Sequence, residues 1–171
     1  MRSNNIERVE FRSIDTALQG NTLSGIAVPY GESSRVLYDR PRPYRERFER
    51  NSLAIGDSVS LLLGHDPSTI PLGRVGAGTL RFEDTADGLR FVADLPSSRP
   101  EVVVALMRGD LDGSVSIGFI TQRDSWGNKT NPALRTVQDA TLLELSIVPA
   151  GAYAGARGTL TNTDSGENQN G

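Results

Sequence analysis

Apolar runs in this chain are short, and glycine, proline, asparagine and aspartate recur between them. The recurrent segments are Leu23 to Val28, Ser58 to Leu63, Gly76 to Phe82, Leu89 to Leu95, Ser114 to Ile120 and Leu142 to Val148. Each alternates in polarity or is a brief apolar run, and each has the length of a strand. The turns between them draw on Gly 18 and Pro 9 in 171 residues. Ala86-Asp87-Gly88 signals a hairpin between two of the runs, and Asp124 to Asn128 signals a second loop of similar kind. One stretch breaks the rhythm: Pro100 to Arg108, with Ser98 as a cap, arginine in the last turn and Gly109 as the stop, predicts a helix. Arg50 to Ala54, capped by Ser52 and ended by Gly56, predicts a second, short one. The expected class is α+β, mainly β.

A chain of 171 residues has the size of one domain, enough to bury roughly two-thirds of the surface its unfolded form exposes. Its 18 basic and 21 acidic side chains leave a formal net charge of -3. A sequence-independent nucleic-acid binder needs a basic surplus to displace counterions from phosphates, so the expected target is protein or a small molecule, with no nucleic acid. With Cys 0 there is neither a disulfide framework nor a thiol nucleophile. The start, Met1-Arg2-Ser3-Asn4-Asn5, is polar and no apolar signal core follows it. No run of ~18 apolar residues occurs either, so the expectation is a soluble chain with no standard export signal and no membrane association. Thr159 to Gly171 reads TLTNTDSGENQNG, too polar to repay its own ordering by burial. The chain is thus expected to divide into a domain at 1–158 and a polar tail at 159–171.

Scarce residue types narrow the chemistry. His65 is the one histidine and Lys129 the one lysine. Catalytic zinc draws on three protein ligands, which this composition supplies poorly. A serine–lysine dyad would have to use Lys129, which sits in the polar turn Gly127-Asn128-Lys129-Thr130. Gly73-Arg74-Val75-Gly76-Ala77-Gly78 lacks the spacing of a dinucleotide-binding loop. No metal and no cofactor are expected.

A serine hydrolase needs a hydroxyl that loses its proton as it attacks, an imidazole to take that proton, and an acceptor to orient the imidazole. The imidazole can only be His65, which follows the strand-like run ending at Leu63-Gly64 and precedes Asp66-Pro67, a position at a sheet edge. In the segment Ser114 to Phe119, Ser114, Ser116 and Gly118 share one face while Val115, Ile117 and Phe119 share the other. Burying the apolar face leaves a serine beside a glycine that does not block an approaching backbone. Periodicity does not choose between Ser114 and Ser116. Glu144, flanked by Leu143 and Leu145, is a carboxylate in apolar company that needs a partner, and an imidazolium at His65 would be one. Asp66 is the rival orienter, although neighbours in extended chain point to opposite faces. Singly, His65 and the serines have commoner meanings, a surface histidine and small polar residues facing water, and for Glu144 a solvated glutamate is an equal reading.

Seven segments in order change that balance. They are GIAVPYGE at Gly25 to Glu32, ERFERNSL at Glu46 to Leu53, LLLGHDP at Leu61 to Pro67, IPLGRV at Ile70 to Val75, DGLRF at Asp87 to Phe91, RGDLDGSVSIGF at Arg108 to Phe119, and LLELSIVP at Leu142 to Pro149. Together they resemble the caudoviral prohead protease family, tailed-phage maturation enzymes akin to the herpesvirus assemblins, over roughly residues 6–157. The resemblance implies an assemblin-like β-barrel with a few surrounding helices. It implies a serine endopeptidase with catalytic His65, Ser116 and Glu144, the last standing where assemblins carry a second histidine. It also implies cleavage of the scaffolding region of the major capsid protein, and of the protease itself, inside the assembling prohead in the host cytoplasm. The tail from Thr159 would be a remnant of self-processing, and the assemblins suggest a homodimer. Ala150-Gly151 is placed by analogy as the source of oxyanion donors, though relatives often carry proline where Gly151 stands. The competing expectation is a catalytically silent β-domain that assists capsid assembly or scaffolding.

Overall fold

The computed structural model describes residues 10–14, 16–127 and 129–149. In chain order the elements are β1 (Glu10–Ile14), β2 (Thr16–Gln19), β3 (Thr22–Pro29), β4 (Tyr44–Phe48), β5 (Leu53–Ala54), β6 (Ser60–Leu63), β7 (Gly73–Arg74), β8 (Leu80–Asp84), β9 (Gly88–Asp94), α1 (Pro100–Arg108), β10 (Val115–Gly127) and β11 (Ala133–Ile147). β10 and β11 form a long antiparallel pair at the centre of the first sheet, with β1 antiparallel along the free side of β10. Three short strands follow one another along the other side of β11, all parallel to it. β4 lies beside Ala133 to Val137, β5 beside Ala140 and Thr141, and β6 beside Glu144 to Ile147. β7 then pairs antiparallel with β6. The second sheet runs β2-β3-β9-β8, antiparallel throughout.

Both sheets and α1 contribute to one apolar core. Ile117 and Leu145 enter it from the first sheet, Leu23 and Phe91 from the second, and Val102 and Leu106 from the helix, at the three-to-four spacing of an amphipathic helix. Phe48 and Phe119 meet edge-on at 5.1 Å with their rings at 72°. At one end of this layer the fully buried Glu46 accepts from Arg135 Nη1 at 2.9 Å, while Arg135 Nε donates to Asp124 at 2.7 Å and Nη2 to Thr121 at 2.8 Å. The Glu46 and Arg135 charges are buried within a hydrogen-bonded set, the form in which burial is tolerated.

The predicted helix at Pro100–Arg108 is present and stops at Gly109, whose φ of +77° is the left-handed C-terminal conformation. Ser98 does not cap it: Arg99 precedes the first turn and no side chain caps it. The second predicted helix is a turn followed by β5, because the Ser52 carbonyl accepts from Ala140 N–H and Leu53 is drawn into the ladder of β11. Within Gly76 to Phe82, a 3-10 turn at Val75–Ala77 and the left-handed Gly78 delay the strand until Leu80. The loop predicted from Asp124 is the end of β10, since β11 offers pairing partners as far as Gly127; Asn128 lies outside the described residues. β4 has no counterpart among the predicted strands, because its alternation is carried by Arg45, Glu46 and Arg47.

In place of the expected closed barrel, the described strands form two open sheets joined at a corner by the Tyr30–Phe48 bridge. β7 is two residues long and gives way to the 3-10 turn, so it does not carry the ladder of the first sheet on to β8.

Candidate active site

β6 ends at Leu63 and the chain turns through Gly64 and His65, at φ +62° and +61°, before Asp66 N–H donates back to Leu63 C=O at 3.2 Å. Two successive positive φ values define a tight turn of the mirror-image type. Glycine adopts this conformation freely, whereas for histidine it costs about 1–2 kcal/mol. Gly64 N–H donates to Ile147 C=O at 2.8 Å, which ties the turn to the end of β11. Strain of this kind persists only where surrounding contacts enforce it.

The turn presents the imidazole to β11. His65 Nδ1 lies 2.6 Å from Glu144 Oε1. The two side chains are 26% and 12% exposed, so the pair is shielded yet reachable from solvent on the histidine side. An ionised carboxylate only accepts, so opposite one Nδ1 is the nitrogen that donates, and in a neutral ring of that tautomer Nε2 is the one that can accept a proton. The second oxygen of Glu144 accepts from Ser146 Oγ at 2.8 Å. Asp66, the rival orienter, is turned elsewhere: its Oδ1 accepts from Ser68 N–H at 2.8 Å and Ser68 Oγ at 2.6 Å. Those bonds hold its carboxyl below the ordinary value and shape the loop after His65.

Ser116 stands on the strand next to Glu144. In the β10–β11 ladder Ser116 faces Ser146, and Gly118 faces Glu144, so all four share one side of the sheet. The other side, with Val115, Ile117, Leu145 and Ile147, is buried in the core and holds both strands in place. Ser116 is buried, at 4% exposure. Ser114 precedes β10; its N–H donates to Asp112 Oδ1 at 2.9 Å and its carbonyl accepts from Val148 N–H. The fold thus brings His65 to Glu144, with Ser116 one strand away on the same face, and leaves Asp66 on its own turn.

Ser146 was absent from the sequence-derived set, although its spacing of two from Glu144 on a strand signals a shared face. Ala150-Gly151, the 158/159 boundary and the tail lie outside the described residues. Among the described residues no helix is long and apolar enough to cross a membrane.

No curated protein and no solved structure gives a significant match. The family model for caudovirus prohead serine proteases matches residues 7–170, a span that includes His65, Ser116 and Glu144. A match over so much of the sequence establishes membership: the chain belongs to the caudovirus prohead serine protease family.

Proposed function

We propose that this chain is the serine endopeptidase of a phage prohead, with Ser116 as nucleophile, His65 as base and Glu144 as the group that orients the imidazole. The observation that carries the reading is the 2.6 Å contact between His65 Nδ1 and Glu144 Oε1. With Nδ1 turned to the carboxylate, Nε2 is the ring nitrogen assigned as base, in a chain with a single histidine. Nε2 takes the Ser116 proton as Oγ bonds to the scissile carbonyl carbon. The imidazolium, stabilised by the Glu144 charge, then returns that proton to the leaving amine as the C–N bond breaks. Water releases the acyl group by the same relay. Ser116 is preferred over Ser114 because it matches the family pattern of a serine immediately before an apolar residue, glycine and phenylalanine.

The proposed substrates are the scaffolding region of the major capsid protein and the protease itself, cut within the assembling prohead in the host cytoplasm. Likeness to the assemblins adds a homodimer, which light scattering would register as twice the chain mass. The deciding experiment is co-expression with capsid protein. Ser116→Ala and His65→Ala are expected to fold and leave it uncut, while Ser114→Ala processes it. Normal processing by Ser116→Ala removes the assignment. A fluorophosphonate that labels Ser116 in the native protein separates a protease from a silent assembly domain, which would show no labelling.

A further inference from the structure

The geometry points to Ser146 as a positioning residue of the proposed triad, a hydroxyl that clamps the free oxygen of Glu144 so that the other oxygen meets His65. The inference rests on the catalytic reading above. Its basis is the division of one carboxylate between two partners: Oε1 at 2.6 Å from His65 Nδ1 and Oε2 at 2.8 Å from Ser146 Oγ.

The sheet register explains why a clamp is needed. Glu144 pairs with Ser60 at the start of β6, whereas His65 lies beyond Leu63 at its end. The parallel strands run the same way, so the Glu144 side chain must lean forward along β11 to reach the imidazole. Ser146 lies two residues ahead on the same face, a rise of about 7 Å, directly under that path. A glutamate has three rotatable bonds and faces Gly118 across the ladder, where there is no side chain to limit it. The Ser146 hydroxyl supplies the restraint that the opposite strand does not.

Burial makes the restraint specific. Ser146 has 0% exposure, so bulk water does not compete for its proton. Its neighbours across the two ladders are Ser116 on β10 and Leu62 on β6. The same residue therefore lies between the proposed nucleophile and the strand that leads into the histidine turn. With its proton committed to Glu144, Ser146 is also kept from serving as a second nucleophile beside Ser116.

The test compares Ser146→Ala, Ser146→Thr and Ser146→Val by fluorophosphonate labelling at Ser116, with folding checked by thermal melting. Threonine and valine have nearly equal volume and differ in the hydroxyl, so overpacking acts equally on both. Labelling joins Ser116 Oγ to phosphorus as fluoride leaves and the proton passes to His65, so its rate reports the positioned base. At saturating probe the labelling rate of Ser146→Ala and Ser146→Val is expected to fall between about 10- and 100-fold, the scale of a misplaced catalytic group. The half-saturating probe concentration stays unchanged, and Ser146→Thr recovers most of the rate. The single histidine offers a second readout: the low-field proton resonance of His65 Nδ1–H is expected to broaden or disappear in the alanine and valine variants and return with threonine. Native labelling rates in folded Ser146→Ala, or equal rates in the threonine and valine variants, overturn the inference and leave the triad intact. Absence of labelling in the native protein overturns both.

Discussion

His65 adopts a backbone conformation that glycine would fill without strain, at φ +61°. A non-glycine side chain in that conformation persists where surrounding contacts hold it, and the contact with Glu144 is one of them. Glu144→Gln keeps the shape of the carboxylate but removes the charge that favours an imidazolium. Its cleavage rate is expected to fall by about 10³- to 10⁴-fold with an unchanged circular dichroism spectrum, in line with the loss of the acid in a known triad. Asp66 has a different part. Its folded-state value is depressed by its bonds to Ser68, so its contribution to the loop is complete above the ordinary carboxylate value of about 3.9 and is lost as pH falls through the lower one. The Ser68 amide resonance is expected to titrate below that ordinary value in the native protein and to stop doing so in Asp66→Asn.

At the level of elements, strands with an apolar face were legible from periodicity, and so was α1, whose proline start and glycine stop are both local signals. β4 was not, since its inward positions include Glu46, whose burial makes sense only beside Arg135 on β11, 89 residues away. Arg135→Met takes the Arg135 charge away from the buried Glu46, and a loss of about 3–5 kcal/mol is expected in denaturant unfolding. The β8–β9 hairpin, by contrast, was visible in Asp87-Gly88. Its glycine is required because a Cβ at Gly88 would stand 2.3 Å from Val28 O and 2.7 Å from Ile26 Cγ2. Gly88→Ala is expected to cost about 1–3 kcal/mol or more. Gly56→Ala, where a Cβ meets nothing within 4 Å, is expected to shift stability by no more than about 0.5 kcal/mol.

For the molecule as a whole, the site depends on a core that is blind to the chemistry. Phe119 lies three residues beyond Ser116 and packs against Phe48, so the strand bearing the proposed nucleophile is anchored from its opposite face. Phe119→Ala is expected to cost about 3–5 kcal/mol and to lower the melting temperature by something of order 10 °C. Activity lost in that variant should return on cooling below its transition, which a change in the triad itself would not allow. Within the two open sheets, the order β10-β11-β6 sets the spacing of the proposed serine, acid and histidine.

Local chemistry alone determined that this chain is built mainly of strands, that the only possible imidazole base is His65, and that Ser116 and Glu144 each lie on a strand face opposite core residues. Those conclusions need only periodicity and the count of one residue type. Tertiary structure decided which carboxylate meets the imidazole. Asp66 is adjacent in sequence and Glu144 is 79 residues away, yet a turn bonded to Ser68 carries the first aside, and the parallel register of β6 on β11 brings the second within reach. It also exposed Ser146, because two bonds to one carboxylate are a property of how strands align, and alignment is set by packing across the whole sheet rather than by any single segment.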